Sequence, residues 1–259
     1  MTEQDQHNHP SPEEVRRDRT RLEAQAIQLI ERGRLYVRLK EPYLAPVVYR
    51  MRFVADYTVP TMQTTKQLVT RYNPHWVVQT KNKDEFIGFI IAHESHHFLR
   101  DTFGRSVGKD PTIANWAADY AINSSQKTSG WVPPPDGLFP DREDPPMPES
   151  LAMEAYYGIL LERLDQNRAP PGLVNQLALR NQGGSGGEGE TADGEGEDPS
   201  TAAGPGSGCC GTVASGKEDQ DGLTAEQREV EQDLGLDPVS LDALRMQTAE
   251  QIKKYAAQG

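Results

Sequence analysis

The chain has 259 residues, a formal net charge of −12, 36% hydrophobic residues and a mean hydropathy of −0.70. No apolar run approaches the ~18 residues that would read as a membrane span, the N-terminus lacks an apolar signal core, and adjacent Cys209 and Cys210 cannot build a disulfide framework. Residues 1–181 hold 22 basic against 23 acidic side chains, and residues 182–259 hold 5 against 16, so the acidic tail has no compensating basic cluster and nucleic-acid binding is disfavoured. The expectation is a cytoplasmic protein without a membrane or nucleic-acid partner.

Residues 1–10 are polar, contain His7 and His9, and read as a disordered terminus. Ser11 is a candidate helix N-cap, with Pro12, Glu13 and Glu14 in the first turn. Apolar residues from Leu22 to Ile30 keep helical spacing up to Gly33. Pro42 to Tyr57 reads as a second helix, starting nearer Ala45 because Pro46 fits only a first turn. From Thr58 to Gln79, Thr, Val and Tyr become frequent. Lys66–Tyr72 and Trp76–Gln79 are predicted strands around a turn at Asn73 and Pro74.

A long helix follows, with Asn82 and Glu85 as a capping box and Gly104 as its stop. Phe86 to Ala92 is apolar nearly all round, which predicts a buried, central helix. Asp110 and Pro111 open a further helix through Ile122. The Pro-rich stretch 133–148 holds Leu138 and Phe139 and is expected to be an ordered loop on the core. Pro148–Leu164 is another predicted helix. Residues 182–222, rich in Gly, Ser and acidic groups, are a predicted flexible linker. Thr224–Leu234 and Ser240–Ala257 are predicted amphipathic helices.

The central helix carries His93-Glu94-Ser95-His96-His97. Residues four apart share a helix face, with Cβ atoms about 6 Å apart. Two imidazoles so placed can converge on one zinc ion, with Zn–N bonds of ~2.0–2.1 Å. Glu94 lies one step round. It can hold a metal-bound water, take its proton and pass it to a leaving amine. The pattern fits metal-assisted hydrolysis. His96 points off this face and reads as a packing or hydrogen-bonding residue.

Zinc needs a third protein ligand. A further histidine six residues beyond His97 would fall at Phe103, so it is missing. Asp101 shares the stripe, but a helix rises ~12 Å over eight residues. It is either a carboxylate orienting His97 or a solvated helix-terminal group. The better candidate is Asp119, which forms a polar stripe with Asn115 and Asn123 on an otherwise apolar helix. The two asparagines can hydrogen-bond the ligands from behind. Glu154 is the next candidate after Asp119.

His93-Glu94-Ser95-His96-His97 followed by Asn115, Ala117, Asp119, Ile122 and Asn123 resembles the bacterial putative metallopeptidase domain family, often fused to a von Willebrand A-like domain. Tyr72-Asn73-Pro74, the helix around Glu154 to Tyr157 and the Gly-rich acidic linker are similar too. The resemblance spans roughly residues 15–258. It implies a zincin-like fold and association with MoxR-type AAA+ ATPases. Members usually continue into the von Willebrand A-like module, which residues up to Gly259 do not include.

The expected architecture is therefore α+β and zincin-like, mostly helical with a small sheet. Residues 11–181 form the metallopeptidase domain, 182–222 the linker and 223–259 a C-terminal helical segment. The expected function is peptide-bond hydrolysis with one Zn2+ per chain on His93, His97 and Asp119, and Glu94 activating the water. The alternative is a non-catalytic zinc-binding scaffold for an AAA+ ATPase or another protein, favoured if the C-terminal helices expose an apolar face. A nucleic-acid-processing zinc enzyme conflicts with the charge balance. Lys66–Tyr72 is a candidate edge strand for pairing an extended substrate. Tyr120, Tyr156 and Tyr157 are candidate oxyanion donors, though core or surface roles fit each of them better. Cys209 and Cys210 read as an inert pair in the linker, with zinc capture as the alternative.

Overall fold

A computed structural model describes residues 11–80, 83–135, 137–182 and 224–257. The expectations for residues 1–10, the Asn82 cap, the linker from Gly183 onward, and Cys209 and Cys210 lie outside the described residues.

Helix α1 (Pro12–Lys40) leads through a 3-10 turn (Pro42–Leu44) into the short α2 (Ala45–Val48). Strands β1 (Arg52–Ala55), β2 (Met62–Thr64) and β3 (Val69–Tyr72) follow, then α3 (Pro74–Gln79). Helices α4 (Lys83–Leu99), α5 (Thr102–Arg105) and α6 (Pro111–Thr128) come next. After the Pro-rich loop come α7 (Met153–Asp165), α8 (Pro171–Gln182), α9 (Ala225–Leu234) and α10 (Pro238–Ala256). The chain is α+β: mostly helical, with one three-stranded sheet and C-terminal helices.

Local chemistry explains where several helices begin. Ser11 and Glu14 exchange hydrogen bonds in a capping box at the start of α1. Asp110 accepts from the Thr112 and Ile113 N–H groups, with Pro111 at the first helical position of α6. Asn73 caps α3 in the same way, through the His75 and Trp76 N–H groups.

The expected helix from Pro42 to Tyr57 ends at Val48, and its second half is β1. The expected strand Trp76–Gln79 is helical, because the Asn73 cap and Pro74 outweigh the β preference of Val77 and Val78. Helix α1 does not stop at Gly33. That glycine is buried where α1 crosses α4, and a Cβ on it would meet Ile87 Cγ2 at 2.7 Å. Glycine here permits close helix approach rather than ending the helix. The break after α4 comes at Asp101, in the left-handed region at φ 48°, before the expected stop at Gly104. Helix α7 begins at Met153 rather than Pro148, and α8 had no counterpart in the sequence reading.

The sheet order is β1-β3-β2. β1 runs parallel to β3 with Arg52 opposite Val69, and β2 runs antiparallel with Met62 opposite Tyr72. β3 is therefore central, and the edge strand beside the site is β2 rather than the expected Lys66–Tyr72 segment.

Two apolar clusters form the interior. The first joins α1, the sheet, α3 and α4, and includes Ile30, Met62, Ile90 and Phe98. The second lies between α6, α7 and α8, around Trp116, Tyr120, Tyr156 and Leu173. Helix α10 buries Leu241 and Leu244 in the first cluster, whereas Met246, Ile252 and Tyr255 further along it are exposed. Trp131, Leu138 and Phe139 of the Pro-rich loop are buried as expected. Among the described residues no helix is long and apolar enough to cross a membrane.

Candidate metal centre

α4 belongs to the first cluster and α6 to the second, and the candidate site lies where they face each other. The i, i+4 spacing brings His93 Nε2 and His97 Nε2 to 2.9 Å. From α6, Asp119 Oδ1 lies 3.3 Å from His93 Nε2 and 3.1 Å from His97 Nε2. Ligand atoms on a tetrahedral zinc with bonds of ~2.0–2.1 Å stand about 3.3 Å apart. The observed spacings of 2.9–3.3 Å are close to that.

All three side chains are at most 3% exposed. Burial works to raise the Asp119 pKa, but the two imidazoles outweigh it and hold the carboxyl below the usual range. The donor set therefore contains a buried anion.

The tautomer of His93 follows from its neighbours. Asn123 Nδ2 donates to the Leu138 carbonyl at 2.9 Å, which leaves Asn123 Oδ1 as an acceptor. His93 Nδ1 lies 2.7 Å from that oxygen and must donate to it. When the ring is neutral, as a metal ligand must be, Nε2 of His93 thus presents a lone pair toward Asp119 and His97. His97 Nδ1 is buried without a hydrogen-bond partner, as are both Asp119 carboxylate oxygens. Such groups are costly when left unsatisfied. A divalent cation fits the Asp119 oxygens and the two Nε2 atoms that face them: it takes their lone pairs, neutralises the carboxylate and suits a nitrogen–oxygen donor set.

Glu94 is 2% exposed. Its Oε2 accepts the Thr64 backbone N–H at 3.0 Å, whereas Oε1 is buried with no partner. Adjacent Thr65 N–H bonds Val69 O of β3 at 2.9 Å. Strand alternation therefore turns the Thr64 N–H off the sheet edge, toward α4. The Thr64 contact was not part of the sequence reading, and nothing local in the sequence marks it.

The other candidates are placed elsewhere. His96 Nε2 lies 3.6 Å from Glu41 Oε2, at the C-cap of α1. Asp101 is exposed and pairs with Arg245 of α10 at 3.0 Å. Glu154 makes a two-pronged ion pair with Arg105, which lowers its pKa to about 2. Asn115 is buried on the α4-facing stripe of α6. The Tyr120 hydroxyl donates to Glu143 at 2.6 Å, and that of Tyr156 to Pro148 O at 2.7 Å. The Tyr157 hydroxyl accepts the Asp110 N–H at 3.0 Å.

No curated protein and no solved structure matches the chain. A family model described as "Putative metallopeptidase domain" matches residues 27–253, from within α1 to within α10. With a buried His-His-Asp group on facing helices and a match over most of its length, the chain belongs to that metallopeptidase domain family.

Proposed function

We propose that the protein is a zinc-dependent peptidase in which His93, His97 and Asp119 hold one Zn2+ and Glu94 is the general base. The observation that carries this reading is the convergence of His93, His97 and Asp119, together with buried oxygens that make no hydrogen bond: both of Asp119 and Oε1 of Glu94. Zinc bound to the first three residues would polarise a peptide carbonyl and lower the pKa of a water at its open position.

The chain's own groups do the rest. Asn123 keeps the His93 proton on Nδ1. Thr64 holds one Glu94 oxygen, so Oε1 is the atom that takes the proton from water and later delivers it to the amine nitrogen of the leaving segment. The outer edge of β2, beyond the Thr64 N–H that Glu94 occupies, is where an extended peptide would pair. Residues 11–181 with the docked C-terminal helices act as one unit in the cytoplasm.

A second reading, a non-catalytic zinc scaffold, draws on the burial of all four side chains, none more than 3% exposed. On the peptidase reading this burial means that the site must open for a substrate, and a MoxR-type ATPase is the partner suited to opening it. Mapping protein termini in cells expressing the native chain or Glu94→Gln separates the two. New termini confined to the native chain support the peptidase, and identical termini support the scaffold.

A further inference from the structure

A cavity of about 250 Å³ lies between the end of α4, α5, α6 and the start of α7. It is larger than the engineered cavities of ~150 Å³ that take up benzene. One part of its wall is apolar, from Ala118 and Ala121 of α6 and Met153 of α7. The other part is cationic, from Arg100 and Arg105, with Thr102 between them.

The two arginines differ in their partners. Arg105 is committed: Nε and Nη2 hold Glu154, and Nη1 donates to the Arg100 carbonyl at 3.2 Å. Arg100 is half-buried, and among the described residues its guanidinium makes one hydrogen bond, from Nη1 to Ala121 O at 3.2 Å. No carboxylate among the described residues lies within ion-pair distance of it. Glu41 acts on it only from further off and is itself held by His96 at 3.6 Å. A guanidinium offers five N–H donors in a fork that matches a carboxylate. Here most of that fork is unused at the edge of an apolar hollow.

We propose that this cavity is a binding site for a carboxylate bearing a small apolar group, with the carboxylate on Arg100 and the apolar group against Ala118, Ala121 and Met153. Such a group can be the C-terminal residue of a peptide or a free small carboxylic acid. The proposal does not depend on hydrolysis and stands apart from the role of Glu94.

The test is calorimetric titration of the full chain with N-acetyl-leucine, its neutral amide and acetyl-Gly-Gly-Leu. The acid should bind, and the amide should bind about tenfold or more weakly, because the charge-assisted pair is lost. Arg100→Gln should remove the preference for the acid. Ala152→Phe should block binding without touching Arg100, since Ala152 stands exposed on the rim and its side chain caps nothing. Binding of both acids identifies a chain terminus as the ligand, and binding of N-acetyl-leucine alone identifies a free small acid. Equal binding of acid and amide, no binding of either acid, or acid binding unchanged in both folded variants would overturn the proposal.

Discussion

His93 Nδ1 and Asn123 Oδ1 are 2.7 Å apart, and the bond runs from the α4 helix to the α6 helix behind the candidate metal centre. Asn123 is held in turn by the Leu138 carbonyl, so one asparagine fixes the proton of an imidazole and anchors the Pro-rich loop. Asn123→Ala should leave the Nδ1–H and the Leu138 carbonyl unsatisfied. A second-layer partner of a ligating histidine is worth about 10–100-fold in metal affinity, and a buried unsatisfied group costs ~1–3 kcal/mol. Zinc affinity by chelator competition and unfolding of the metal-free protein should both fall. Loss of stability with unchanged zinc affinity would limit Asn123 to a structural role.

Asp119→Ala should abolish tight zinc binding, whereas Asp101→Ala should not. Asp119 is 1% exposed and faces both imidazoles, while Asp101 is 52% exposed and pairs with Arg245. Surface pairs of that kind contribute about 0–1 kcal/mol. Metal content of the two purified variants checks the contrast.

Glu154→Gln should leave zinc content unchanged and lower stability slightly at neutral pH. The Glu154 carboxyl sits at about 2 because Arg105 favours its ionised form. A depressed carboxyl pKa stabilises the fold above its unfolded value of ~4.3. That contribution is lost as pH falls from there through about 2. The side chain is 50% exposed, so solvent screening keeps the effect within about 1 kcal/mol. Denaturant unfolding of parent and variant should differ at pH 7 and converge in acid.

Gly33→Ala tests the crossing of α1 and α4. A methyl there gains ~1 kcal/mol of helix propensity. It would also meet Ile87 Cγ2 at 2.7 Å and Ile91 Cδ1 at 3.1 Å. Overpacking of this kind costs about 1–3 kcal/mol, so the net change should be destabilising. A stability rise on denaturant unfolding would show that the crossing can relax.

What could be read from the sequence follows the range of the interactions. The stripes His93/His97 and Asn115/Asp119/Asn123 are periodic within single helices, so the residues that meet at the site were legible before any fold was known. The helix starts at Ser11, Asp110 and Thr224 were legible because a cap acts over three residues. The sheet was not. β1 carries Phe53 and Val54 after an apolar helix, and only pairing with β3 makes it a strand. Tyr72 and Arg71 gave no sign that β3 would be central, because that depends on β1 arriving parallel to it. Thr64 reaches Glu94 across the fold through a backbone group, which no residue identity can reveal.

The most direct measurement of the central claim is peptide hydrolysis by the native chain and by Glu94→Gln, with zinc content determined on the same preparations. Gln keeps the shape of Glu94 and its bond from Thr64 but cannot take a proton. The expected result is about one zinc per chain in both proteins, with cleavage in the native chain and its loss in the variant. Equal cleavage by the two proteins, or a native chain that neither retains zinc nor takes it up, would contradict the account.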